Sequence, residues 1–227
     1  MIQQSAGQKL AAGLAALCLT AALGSQVLAA DGAFTDLNSV NGQDKILSLQ
    51  EQGVLKGTGN DEFHPAAALT AAEAVQMLAN GLAVIPAAEA AGSAAEENGG
   101  FLNVTDSAWY AEAFLKASSK GLEIDSTIDP SQAVTREQYT AYLVQLIEKW
   151  AALPMIKLVP AEITDAADIT PDYQGAIQRA LTWNIAALDD KGSFNPKGNI
   201  TRAEAAVMLY NAIEFVNGHP YQAPAGV

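Results

Sequence analysis

The chain has 227 residues, half of them hydrophobic, with 25 acidic against 12 basic residues and a single cysteine, Cys18. The acidic balance argues against nucleic acid as a partner and against adhesion to anionic lipid, since the long-range field repels both. One cysteine excludes an internal disulfide, so packing alone must hold the fold.

Residues 1–30 read as a secretory signal: Lys9, an apolar run from Leu10 to Leu23, then "SQVLAADG", with cleavage expected after Ala29 or Ala30. A membrane anchor is the weaker reading, because the run falls short of the roughly 20 residues a span requires and Gly13, Gly24 and Ser25 interrupt it. Leu17 precedes Cys18 where a lipoprotein signal would place a small residue. Cleavage would remove Lys9 and Cys18 and leave 11 basic against 25 acidic residues, a formal charge of −14. No membrane insertion is expected once the signal is gone, and an anionic ligand would have to be captured by a local pocket.

The remainder is organised by an internal repeat. The stretches "FHPAAALTAAEAVQML" (63–78), "IDPSQAVTREQYTAYL" (128–143) and "FNPKGNITRAEAAVML" (194–209) align without a gap. Upstream, "FTDL" (34–37), "FLNV" (101–104) and "ITDA" (163–166) each open a unit and lead into a helical pattern in which Ile46, Phe114 and Ile177 are equivalent. Seven residues later stand Gly53, Gly121 and Asn184, residue types that accept a left-handed backbone and so close a helix. A turn rich in Gly, Asp and Asn follows, tied down by Phe63, Ile128 or Phe194. Its acids lack the spacing of a calcium loop, so no metal and no cofactor is expected.

The second helix of each unit opens on Thr70, Thr135 or Thr201, with Glu73, Gln138 or Glu204 three residues on, which is a capping box three times over. Its apolar face is predicted from Val75, Leu78 and Leu82, from Tyr139, Leu143 and Leu146, and from Val207, Met208 and Ile213. The boundaries expected are repeats at 31–82, 101–150 and 163–216, an Ala/Gly/Glu linker at 83–100, an apolar linker at 151–162 and a tail at 217–227. Each helix–turn–helix unit is too small to bury its own apolar face, so the three must pack on one another.

This pattern resembles the S-layer homology repeats of bacterial surface proteins, through "FTDL" and "FLNV", the Trp-Tyr of "SAWYAEAF", the helix-ending "QGVLKG" and "KGLE", the turn with Phe-x-Pro and "ITRAE". The resemblance covers about residues 34 to 216. It implies an all-α, three-pronged assembly of approximate threefold symmetry, exported to the cell wall. Grooves between repeats would bind secondary cell-wall polysaccharide, often pyruvylated, or a peptidoglycan-linked glycan. By position, the arginine of the "TRAE" motif that contacts the acidic sugar group passes to Arg136 and Arg202.

The residues give a reason for those arginines without the family. A cation at a helix start opposes the helix dipole, and beside amides that lack partners it would build a carboxylate site. Only three arginines exist, and two occupy this position. Repeat one carries Ala71 there, so its groove is expected to be weak unless Lys45 or Lys56 substitutes; repeat two has an added carboxylate, Glu137, beside its arginine. Thr135 and Thr201 adjoin the expected pocket, Trp109 with Tyr110 is a candidate sugar platform or core, and Trp183 a candidate groove lining or core. Trp150 is read as structural, and Asp36 and Asp165, replaced by Asn103 in repeat two, as caps of the first helix. An enzyme is not expected: only His64 and His219 are available, and no Ser-His-Asp or Cys-His set assembles. The alternative is an envelope component that self-associates or grips another protein.

Overall fold

The computed structural model describes residues 33–85, 100–151, 153 and 159–219. The expected signal, most of the 83–100 linker, the centre of the 151–162 linker and the end of the tail lie outside the described residues. Six α-helices form: α1 (Gln43–Glu51), α2 (Ala71–Gly81), α3 (Ala111–Ser119), α4 (Arg136–Trp150), α5 (Gln174–Thr182) and α6 (Arg202–Gly218). Two short 3-10 turns, Ala166–Asp168 and Pro171–Tyr173, lead into α5. Among the described residues there is no strand, only isolated bridges, and no helix long and apolar enough to cross a membrane.

The three capping boxes are present, each threonine accepting from the third helical amide while the Glu or Gln accepts from the threonine amide. Gly53, Gly121 and Asn184 stand in the left-handed region, at φ 72°, 88° and 54°, and close α1, α3 and α5. The equivalent Ile46, Phe114 and Ile177 are fully buried.

Helices pair between units rather than within them: α2 packs on α3, α4 on α5 and α6 on α1. Each second helix thus covers the first helix of the next unit, and α6 closes the circle on α1. The apolar faces of α2 and α4 are buried as expected. In α6, Met208 and Ile213 are buried, whereas Val207 is half-buried. Val207 lies against Gly42, where an added β-carbon would collide with its side chain.

A closed ring of backbone hydrogen bonds ties the second helices together at their starts. Leu69 N–H donates to Ile200 O at 3.0 Å, Ile200 N–H to Val134 O at 3.1 Å and Val134 N–H to Leu69 O at 2.9 Å. Around it, the first helical amides cross in the opposite sense: Ala71 to Gln132 O, Arg136 to Gly198 O and Arg202 to Ala67 O. The second amides repeat it, Ala72 to Pro130 O, Glu137 to Pro196 O and Ala203 to Pro65 O. Near the centre the equivalent residues are Ala74, Tyr139 and Ala205, all fully buried. One ring fills the space that two alanines leave, and its hydroxyl donates to Ala205 O at 3.1 Å.

This crossing corrects one expectation. The amides beside the arginines do not lack partners; carbonyls of the neighbouring unit take the first two and the threonine cap takes the third. Helix ends buried in a core must satisfy their orphan donors, and here unit-to-unit closure does so.

Candidate functional site

Three grooves lie at equivalent places around the ring, with volumes of about 420, 480 and 450 Å³. The first is walled by Val54–Thr58 and α2, with Trp109 of the second unit and Arg202 of the third. The second is walled by the third unit, with Asn41 of the first and Arg136 of the second. The third is walled by α4 and the segment before it, with Asp172 and Arg179 of the third unit. Trp109, Asn41 and Asp172 are equivalent lip positions, each five residues before the buried Phe114, Ile46 or Ile177.

The arginines reach across the ring. Arg202 is 8% exposed; its Nε donates to Phe63 O at 2.8 Å, Nη1 lies 3.4 Å from Glu73 Oε1, and the guanidinium sits 4.8 Å from the centre of the Phe63 ring. Arg136 makes the equivalent ion pair and ring contact from the second unit to the third, with Nη1 3.1 Å from Glu204 Oε1 and the Phe194 ring 5.1 Å away, but its carbonyl bond runs from Nη2 to Ala187 O. Its Nε is buried without a hydrogen-bond partner. Burial lowers the Arg202 pKa, with Glu73 and Asp36 opposing, and the side chain stays charged because its ordinary value is so high. The carboxylate on which each guanidinium converges is therefore the protein's own.

Glu73 and Glu204 divide their oxygens. Oε2 of each accepts from the capping threonine, while Oε1 meets the arginine. Gln138 spends its one oxygen on Thr135, and an amide nitrogen would be left to face a guanidinium. None is there. The residue whose helix start crosses to this unit is Ala71, whose own amide bonds Gln132 O. The missing arginine, missing acid and Ile128 in place of phenylalanine thus fall at one junction.

That register moves the expected weak groove. Ala71 faces the second unit, so the groove without a helix-start arginine is the third, while repeat one's groove receives Arg202 from repeat three and its own Lys56. Lys45 is engaged elsewhere, donating to Asn211 Oδ1 at 2.7 Å and lying over the Tyr210 ring. Glu137 does not sit against Arg136 as a competing anion: it is 3% exposed and accepts from Thr170 N–H, the Thr170 hydroxyl and Lys197 Nζ. Burial alone would raise its carboxyl, but the bonds from Lys197 and Thr170 outweigh that and hold it below the ordinary range.

Thr135 and Thr201 lie beside the arginines with their hydroxyls engaged in the caps. Trp109 is 65% exposed at the lip of the first groove, its indole edge-on to Tyr110 at 5.3 Å. Trp183 is 8% exposed and stacked on Phe215 at 5.0 Å, so it packs into the core and lines none of the three grooves. It stands at the end of α5, just before the left-handed Asn184, where its ring meets Phe215 of α6.

Asp36 and Asp165 are not helix caps. Asp36 accepts from Phe63 and His64 N–H, and Asp165 from Phe194 and Asn195 N–H, at 2.7 to 2.9 Å. His64 and Asn195 are left-handed, at φ 56° and 57°, which turns two successive amides to one side. Asn103 makes the inverse bond, donating to Thr127 O and Ile128 O. The clasp survives by reversing polarity.

Sequence reasoning passed over a second recurring clasp. Asn80, Gln145 and Asn211 are equivalent; Asn80 donates to Val54 O, Asn211 to Ile185 O, and Gln145 accepts from Glu123 N–H. All three line their grooves. A polar residue recurring on an otherwise apolar helix face was the available signal.

A helical ring of interlocked units with ligand-sized grooves at its seams is the class that fold and site define. Within it, the S-layer homology domain matches residues 33–75 and 162–206, which fall in the first and third units. It is 26% identical, over 97% of its own length, to a surface-layer 125 kDa protein of Lysinibacillus sphaericus, and covers 18% of that protein. It is likewise 26% identical to exoglucanase XynX of Acetivibrio thermocellus, over 85% of the chain and 17% of the relative. An amylopullulanase of Thermoanaerobacterium thermosulfurigenes is 26% identical over 81% of the chain and 10% of the relative. The chain spans less than a fifth of each of these relatives.

Proposed function

We propose that this chain is a non-catalytic anchoring module that holds an exported protein at the cell surface by binding an anionic secondary cell-wall polysaccharide, pyruvylated glycans included, in grooves between its units. The middle unit is the third copy of the same domain, since its capping box, helix-closing glycine and crossing amides repeat those of the matched units. The observation that carries the reading is Arg136 and Arg202, equivalent residues on the walls of two inter-unit grooves. A guanidinium has five N–H donors; each of these spends two on the protein, which leaves donors for a ligand carboxylate. Relatives that include a surface-layer protein and two polysaccharide-degrading enzymes, each matched over a small share, fit a module shared by proteins of different activity.

Cosedimentation of the mature chain with purified cell walls, before and after removal of the secondary polysaccharide, tests it. Pelleting is expected only while the polymer is present and should be lost in Arg136→Ala plus Arg202→Ala, with circular dichroism confirming that the variant is folded. Pelleting that survives polymer removal would instead favour a peptidoglycan tether. A large assembly of purified protein without polymer would favour the self-associating alternative.

A further inference from the structure

The three grooves share a shape but not a charge. In the first, Lys56 and Arg202 face one carboxylate, Glu73. In the second, Arg136 faces two, Asp189 and Glu204. In the third, Lys149 and Arg179 face Glu123, Asp125, Glu148 and Asp172, and both cations are already bound, Lys149 to Glu123 at 2.9 Å and Arg179 to Glu148 at 2.6 Å. The first is thus the one groove of the three with an excess of positive charge, on a protein whose net charge is strongly negative.

The lips differ in step with the charge. An exposed indole stands at the first, Asn41 at the second and Asp172 at the third. Trp109 is held in place by its edge contact with Tyr110, which packs in turn on Phe114, so an apolar ring face is kept in water at fixed orientation. A pyranose offers a C–H face to such a ring, and burying that face is favourable. Across the same groove Lys56 has no hydrogen-bond or ion-pair partner among the described residues, and is the unengaged cation there.

On this basis, and resting on the anchoring reading above, we propose that the first groove is the tight site for the anionic glycan, with Trp109 stacking on a sugar ring and Lys56 pairing with its acidic substituent. The second groove, where Arg136 keeps donors beside two carboxylates, and the third, where both cations are paired, hold the same ligand less tightly, because a carboxylate entering them adds to an existing excess of negative charge in a confined space.

Isothermal titration of the full mature chain with a ketal-bearing oligosaccharide released from the wall polysaccharide, and with the same oligosaccharide after acid removal of the ketal, tests this. A single tight site is expected. Trp109→Ala should weaken both ligands by about tenfold or more, whereas Lys56→Gln should weaken only the ketal-bearing one, by about fivefold. Asp172→Ala, in the third groove, should change nothing. Two or three sites of equal affinity, or unchanged affinity in both Trp109→Ala and Lys56→Gln, overturns the assignment of the tight site to the first groove while leaving the anchoring reading in place. Absence of any binding by the wild type overturns both.

Discussion

Arg202 is a cation held almost out of water, and the reason it is tolerated lies in its three partners: a carbonyl, a half-buried carboxylate and the face of Phe63. Removing it strands the Phe63 carbonyl and Glu73, so Arg202→Ala should cost about 2 kcal/mol in urea unfolding. Arg202→Lys should not recover that loss, since a point charge cannot fork to two acceptors and stack as well. Glu137 is the matching case among the acids. Its folded pKa lies below the ordinary 4.5, so its contribution is complete above that value and is lost as pH falls through the depressed one. Melting temperature should therefore drop on acidification below about pH 4.5, and Glu137→Gln should lower it at neutral pH while flattening the dependence.

At the level of the element, the start of each second helix does two jobs. The threonine and the N3 residue cap the helix, and the first two amides fasten it to the neighbour. Thr201→Ala should cost about 1 kcal/mol in chemical denaturation. The junction between the first and second units lacks the arginine clamp, and its absence is double, at Ala71 and at Gln138. Ala71→Arg alone buries a cation against an amide and should destabilise. Adding Gln138→Glu supplies the second oxygen that Glu73 and Glu204 use, so a double-mutant cycle should give a favourable coupling of about 0.5–1 kcal/mol. Zero coupling would mean that the clamp is incidental to the junction.

For the whole molecule the consequence of helix pairing between units is circularity. A linear repeat array loses stability in increments when shortened, but here each unit's first helix is covered by its neighbour's second, and α6 returns to α1. Deleting residues 163–219 uncovers α1 and α4 together and breaks the ring at Leu69 and Val134. The shortened chain should show no cooperative thermal transition by calorimetry, while the full chain unfolds in one.

Repeats, helices, caps and closing residues were legible in the sequence because they depend on contacts a few residues apart: Thr70 with Glu73, or Gly53 at the end of α1. So was the equivalence of Arg136 and Arg202, which is a matter of alignment. Which groove each arginine serves was not legible, because Arg202 meets Glu73 across 129 residues and the crossing follows from how the ring closes. For the same reason Asp36 looked like a helix cap, Trp183 stayed open between groove and core, and the helix-start amides looked like free donors. Local periodicity determined the parts of this protein, and the sense in which those parts interlock, set by long-range hydrogen bonds and the burial of each unit's apolar face on the next, decided where its charges stand.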